Sequence, residues 1–363
     1  MNIQQGCRII VYLFMISVPV ITCAQDEFED IFEPKTTIGG YGELHYNYEK
    51  TGDDRPKKVL DFHRFVIYFG HAWSEKWSFR SEVELEHNFV KDGQGELQLE
   101  QAFLNYTHSP FLSLQAGVLL VASSFINEYH EPVFFFSVER PEYAKYIIPT
   151  TWFGNGLGAY GFFSGLDYRF VVMEGLDGSK ISPSSAIRDA RQKGFKANAE
   201  ELLYNIRIDY VNIPGLRIGG SIVTTDAIVD DSTKNKVDLW EVHARYQSAG
   251  ILAAFEYGDI SYQTGDLKRS KGFYFDLGYN IGHSFNWKVK LYPWFRWTDY
   301  NTAAETASVV SSEKMSHFQK WLVGLAVFPS ENVVLKADYG YKKRKSDGQR
   351  TELFNLGFGY NFQ

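Results

Sequence analysis

The chain has 363 residues, a formal charge of -7, 22% charged residues and a mean hydropathy of -0.27. A bundle of membrane-spanning helices is excluded, because it needs repeated apolar runs of about 20 residues. A general nucleic-acid binder is disfavoured, because phosphate recognition needs a basic face. The 29 Phe, 23 Tyr and 8 Trp, with 31 Gly against 11 Pro, describe an aromatic, glycine-rich chain without the composition of a disordered one.

Residues 1–24 read as a secretory signal. Met1 to Arg8 is polar with one basic residue, Ile9 to Ile21 is apolar apart from a single Ser, and Thr22 and Ala24 supply small residues ahead of cleavage between Ala24 and Gln25. A lipoprotein signal using Cys23 is the competing reading, disfavoured by Thr22 before it. Cys7 and Cys23 are the only cysteines, so the mature chain draws no stability from disulfides. Residues 25–36, with Asp26, Glu27, Glu29, Asp30 and Glu33, read as an acidic periplasmic tail, too small for an internal plug.

From residue 37 onward the pattern has period two. In 354–362, Phe354, Leu356, Phe358, Tyr360 and Phe362 oppose Asn355, Gly357, Gly359 and Asn361. Strand side chains alternate between faces, so this is a strand with one apolar and one polar side. Sixteen such segments run near 37–48, 58–72, 77–88, 95–107, 111–119, 152–163, 166–174, 201–211, 216–224, 236–246, 251–258, 271–280, 286–298, 317–327, 333–342 and 351–362. The one expected helix is a short loop helix over 186–193. Short connections alternate with longer ones, as in an outer-membrane barrel. The fold predicted for 37–363 is therefore all-β, a 16-stranded antiparallel transmembrane β-barrel. A soluble sandwich would not need aromatics at so many strand ends, where Tyr46, Trp77, Trp240, Tyr246, Trp287, Trp297, Trp321 and Phe362 suit interfacial girdles.

The polar faces define an expected lumen. Segments 77–88 and 95–107 offer Glu82, Glu84, Glu86, Glu96 and Glu100 against Arg80; later ones offer Arg169, Arg207, Arg217, Arg245, Lys288, Lys290, Arg296 and Lys336. Acids thus gather on one side of the wall and bases on the other, an arrangement that would either set up a transverse field or simply solvate the interior and pair across neighbouring strands. In 58–72 the alternation breaks between Phe62 and Phe65, leaving Arg64 inward. The longest connection, 120–151, carries Phe125, Tyr129, Phe134, Phe135, Phe136, Tyr143 and Tyr146 and should pack against the barrel interior. Its charged residues, Glu128, His130, Glu131, Glu139, Arg140, Glu142 and Lys145, would then govern passage; a lid or a trimer contact is the alternative.

Several stretches resemble porins of the phosphate-selective porin O and P group: Gly39–Asn47, Val59–Phe65 and Gly95–Ala102, and in the long connection Asn127–Pro132, Val138–Pro141 and Ile147–Trp152. The resemblance implies a 16-stranded channel, commonly a trimer, whose third external loop folds inward as a constriction. It also implies anions, phosphate among them, as solutes. The arginine ladder and lysine cluster of phosphate-selective members are not recognisable as motifs here.

No catalytic set, cofactor or metal site is expected. Gly156–Gly161 fits a dinucleotide fingerprint in letters but lies in a strand pattern without a following helix. The nine histidines show no zinc-like spacing, and His45, His63, His87 and His243 read as wall residues. There is no Gly-x-Ser-x-Gly. The expectation is a passive porin for small hydrophilic solutes or anions in the outer membrane of a Gram-negative-type bacterium, in contact with bilayer and lipopolysaccharide. A surface receptor or adhesin acting through its loops is the alternative.

Overall fold

In a computed structural model of the protein, residues 32–91, 94–308 and 316–362 are described. The expected signal segment, its Ala24/Gln25 cleavage point and most of the acidic tail lie outside them. The described chain forms sixteen strands: β1 Lys35–Thr51, β2 Lys57–Ala72, β3 Trp77–Lys91, β4 Gln94–Ser109, β5 Leu112–Leu120, β6 Phe153–Phe163, β7 Leu166–Glu174, β8 Leu202–Ile213, β9 Leu216–Ile228, β10 Lys234–Ser248, β11 Ile251–Tyr262, β12 Leu267–Tyr279, β13 Lys290–Thr306, β14 His317–Ser330, β15 Val333–Arg344 and β16 Arg350–Phe362. Each pairs antiparallel with the next. β1 meets β16 in register from Gly40 opposite Phe362 to Thr51 opposite Thr351, which closes the ring.

The alternation has the physical consequence expected of a barrel in lipid. Along β8, Tyr204, Ile206 and Ile208 are 46–49% exposed, while Asn205, Arg207 and Asp209 between them are at most 2% exposed. The same inversion recurs in β9, where Ile218 and Ile222 are exposed and Ser221 and Thr225 buried. Exposed aromatics Trp73, Trp77, Phe111, Phe163, Phe285 and Trp287 gather at the short turns, where amphipathic rings suit a membrane interface.

Four departures from the sequence pattern matter. A bulge between Glu43 and Leu44 of β1 sets Glu43 opposite Arg64 and Leu44 opposite Phe62, so His63 is the extra residue and Arg64 turns inward to 7% exposure. In β4, Gln101 pairs with Glu82 and Leu99 with Val83, so Glu100 is the extra residue and is fully buried. β13 starts at Lys290 rather than 286: Ile281–Ser284 makes one helical turn, Asn286 has φ 53°, and the Trp287 N–H donates to the Gly282 carbonyl at 2.9 Å. Lys288 is therefore an exposed turn residue rather than a wall residue. The expected helix over 186–193 is only a 3-10 turn, Arg188–Ala190, because Ala186 and Lys193 hold positive φ at either end. Strand pairing also outruns the apolar alternation, shrinking most of the longer connections. The two that remain extensive are 121–152 and 175–201.

Ile222 lies mid-strand on the exposed face, opposite Ile206 and Trp240. Ile222→Arg should cost about 2–4 kcal/mol of barrel stability, the usual loss for a cation facing the bilayer midplane, read by denaturant unfolding in lipid vesicles. Unchanged stability would contradict a lipid-facing position.

Candidate functional site

The segment 121–152 is built to hold together at its base. Asn127 donates through Nδ2 to the Val121 carbonyl at 2.8 Å and accepts at Oδ1 from the Trp152 N–H at 2.8 Å, tying both ends of the segment to one side chain. The Ser124 hydroxyl caps the helical turn Phe125–Glu128 by accepting from the Ile126 N–H. A second helical turn, Tyr143–Tyr146, follows.

From this base the segment reaches the polar faces of strands all round the ring. Ala122 exchanges two hydrogen bonds with Asn205 of β8, and Ser123 meets Ser221 of β9 at 2.7 Å. The Phe125 N–H donates to Glu256 of β11 at 3.0 Å. Glu128 binds Arg207 of β8 at 2.8 Å and also Arg169 of β7. His130 lies 3.1 Å from Glu82 of β3 and 3.6 Å from Glu100 of β4. Tyr68 of β2 donates to Glu131 at 3.0 Å. Glu139 meets His45 and Asn47 of β1, each at 2.9 Å. The Val138 N–H donates to Asp338 of β15 at 2.8 Å, and Lys336 to the Ser137 carbonyl at 2.8 Å. Glu142 lies 3.6 Å from Lys320 of β14 and 3.5 Å from Lys342 of β15. Glycine makes room where the approach is closest: a Cβ on Gly278 would lie 2.5 Å from the Phe136 ring, and one on Gly359 2.4 Å from Pro132.

The predicted wall charges are mostly engaged in pairs. Arg207 forks onto Asp209, which also takes Arg217 at 2.5 Å and His243 at 2.9 Å. Arg296 forks onto Asp276 and reaches the Glu139 carbonyl at 3.2 Å. Arg64 bridges Glu43 and Glu84 at 2.7 and 3.2 Å. Lys193 reaches Glu96 at 3.1 Å, and Glu86 lies 3.7 Å from His87. Arg80 sits over the Tyr68 ring, Arg245 over Phe125, and Lys290 pairs with Glu331 in the next turn. Many acids and bases of the wall thus pair locally across neighbouring strands.

Three cavities flank the segment. One of about 700 Å³ opens among the short turns at Pro214, Gly215 and Glu331, against Phe125, Tyr129 and Phe134. A second, about 420 Å³, lies beside Arg80, Glu131 and Arg169 and shares Tyr129 and Phe134 with it. The third, about 230 Å³, lies near the long connections, between Glu84, Glu86 and Glu96 on the wall and Arg140, Lys145, Arg188, Arg191 and Lys193.

Two features escaped sequence reasoning. Connection 175–201 also packs inward: Ile187 and Ala190 are fully buried, and Arg191 donates to the carbonyls of Thr150 and Thr151. The available signal was the apolar upper part of nominally polar faces. Val237 and Leu239 share a face with Glu241, and Ile260 and Tyr262 one with Glu256; all join a buried cluster with Tyr143, Ile147 and Ile187. The second feature is the convergence of His45, His63 and His87, distant in sequence but on neighbouring strands.

The profile of the Gram-negative porin family matches residues 14–363. An uncharacterized protein of Aquifex aeolicus (strain VF5) is 34% identical over 339 residues, covering 86% of this chain and 77% of its own. Among solved structures, the anion-selective porin from Comamonas acidovorans is similar in fold with a TM-score of 0.61 at 12% identity, over 91% of this chain and all of that one. Salmonella typhi OmpF follows at 0.60 and 11%, over 90% and 97%. The outer membrane channel DcaP of Acinetobacter baumannii gives 0.58 and 12%, over 91% and 97%. With a closed sixteen-stranded ring, polar within and apolar without, the chain belongs to the Gram-negative porins, channel-forming β-barrels of the outer membrane.

Proposed function

We propose that the barrel passes small hydrophilic solutes passively and prefers anions, and that 121–152 is the inward third loop setting its width. The observation carrying the preference is the charge balance around the 230 Å³ cavity. Its carboxylates are mostly engaged: Glu43 and Glu84 with Arg64, Glu96 with Lys193 and Glu139 with His45, while Glu86 stands 3.7 Å from His87. Among the described residues, Arg140, Lys145, Arg188 and Arg191 make no ion pair with a carboxylate. They are held by neutral groups instead. Arg140 donates to the His130 carbonyl at 2.9 Å, Lys145 and Arg188 lie over the Tyr146 ring, and Arg191 is bound by carbonyls. Burial and the neighbouring Arg188 push Arg191 down to about 10, which leaves it charged at neutral pH. A mouth with satisfied acids and uncommitted cations concentrates anions. Phosphate falls in this class, in keeping with the resemblance of Asn127–Pro132 and Val138–Pro141. Contact with lipid and lipopolysaccharide along the apolar belt, and assembly as a homotrimer, belong to the same reading.

Reversal potentials in planar bilayers under a salt gradient test the preference. The wild type should select anions, and Lys145→Gln with Arg188→Gln should lower the anion-to-cation permeability ratio severalfold. Cation selectivity in the wild type would overturn the reading, and absence of any conductance would favour the receptor alternative. Deleting 128–145 should raise single-channel conductance; an unchanged value would remove the constriction role.

Glu142 supplies a pH dependence. Burial opposes its charge, but Lys320 and Lys342 outweigh that and hold its carboxyl below the ordinary glutamate range. A carboxyl depressed on folding contributes fully above its unfolded value and loses that contribution as pH falls through the folded one. Wild-type current should therefore stay quiet at neutral pH and grow noisy only below the usual glutamate range. Glu142→Gln should be noisy already at neutral pH, and a quiet variant would show that this clamp does not hold the segment.

A further inference from the structure

The irregularities of β2 and β3 bring two histidines together beside Asp61. His63 is the extra residue of the bulge opposite Glu43 and Leu44. His87 sits where β3 loses register beyond Glu86, with φ 59° and Asn88 after it at 62°. This left-handed backbone is costly for any residue but glycine and persists only where the surroundings impose it. The two rings meet edge-on, 5.3 Å between centroids, and His63 stacks on His45 at 4.7 Å. One carboxylate oxygen, Asp61 Oδ2, lies 3.1 Å from His63 Nδ1 and 2.7 Å from His87 Nδ1. Candidate donor atoms of Asp61, His63 and His87 all fall within 4.8 Å of one another, and so do those of His45, His63 and Glu139.

We infer that Asp61, His63 and His87 form a binding site for one divalent transition-metal ion of the zinc class, at the mouth bounded by the long connections. Two imidazole nitrogens and one carboxylate oxygen are the donors such ions favour, whereas calcium and magnesium take oxygen shells. Bonds of about 2.0–2.1 Å require the three donors to converge further by side-chain rotation from a spacing within 4.8 Å. With the ion on both Nδ1 atoms, each neutral imidazole carries its proton on Nε2 and Asp61 binds the ion as a carboxylate. Access is open: the His87 side chain is 44% exposed, those of Asp61 and His63 about a fifth, and His63 lines the 230 Å³ cavity. Three protein donors leave a coordination position facing that cavity. His45 and Glu139 stand beside the site, and Glu139 belongs to segment 121–152, so the ion sits against the contact that joins this segment to β1.

The test uses the full-length folded barrel, stripped of metal, with zinc chloride titrated in a calorimeter and cobalt(II) followed by its visible absorption. One saturable zinc per chain is expected, with a cobalt spectrum of nitrogen and oxygen ligation and no heat from magnesium. Asp61→Asn, His63→Gln and His87→Gln should each weaken zinc at least tenfold, while Lys58→Gln, a solvent-side change on the same strand, should leave it unchanged. His87→Gln alters a half-exposed side chain, so its barrel is expected to fold, which heat-modifiable gel migration verifies. Equal binding by the wild type and His87→Gln, or no saturable binding at all, overturns the assignment. Weakening by Glu139→Gln without weakening by His87→Gln also overturns it, placing the ion on the neighbouring triad.

Discussion

Hydrocarbon offers no hydrogen-bond partner, so each backbone N–H and C=O within it must find one inside the protein. For a chain of strands the solution is a ring without edges, and the pairing of β1 with β16 completes it. The inversion of the side chains follows from that closure. Apolar residues cover the outside because the solvent there is lipid. Arginines, glutamates and asparagines fill positions that a soluble protein reserves for leucine and valine.

An interior lined with charge is stable only if the charges are satisfied, because an unpaired buried ion is costly. Segment 121–152 does much of that work. Glu128 joins Arg169 and Arg207, His130 stands between Glu82 and Glu100, and Ser137 accepts from Arg296 and Lys336. Residues that look like a selectivity set in a list are therefore partly structural. The cations left over, held by carbonyls and aromatic faces, are the ones whose fields reach a passing solute.

The barrel was legible in the sequence because period two survives any tertiary detail: all sixteen strands are present, and the phase break between Phe62 and Phe65 marks a real bulge. Less legible were features depending on contacts between distant positions. Gly359 looked like an ordinary member of a polar face, yet Pro132 presses against it, and Gly357 beside it is crowded by the Leu44 carbonyl and by Val138. Trp287 and Val289 continued an apolar alternation, but a helical turn after Asn280 takes them out of β13. His45, His63 and His87 had no spacing to betray them, since strand register, and not sequence distance, sets them side by side. Periodicity reports local geometry; the site is made by the ring.

The reach of segment 121–152 has a kinetic corollary. Its partners include Asn205 and Asp338, which the chain synthesises after it and which stand on opposite flanks of the finished ring, and His45, which precedes it. The partners on β1 and on β15 come side by side only when the first and last strands have met. Such long-range closure is slow because loop entropy is spent before contacts repay it. The segment is thus a late element of assembly, and an open sheet leaves its phenylalanines and tyrosines uncovered until the ring is complete.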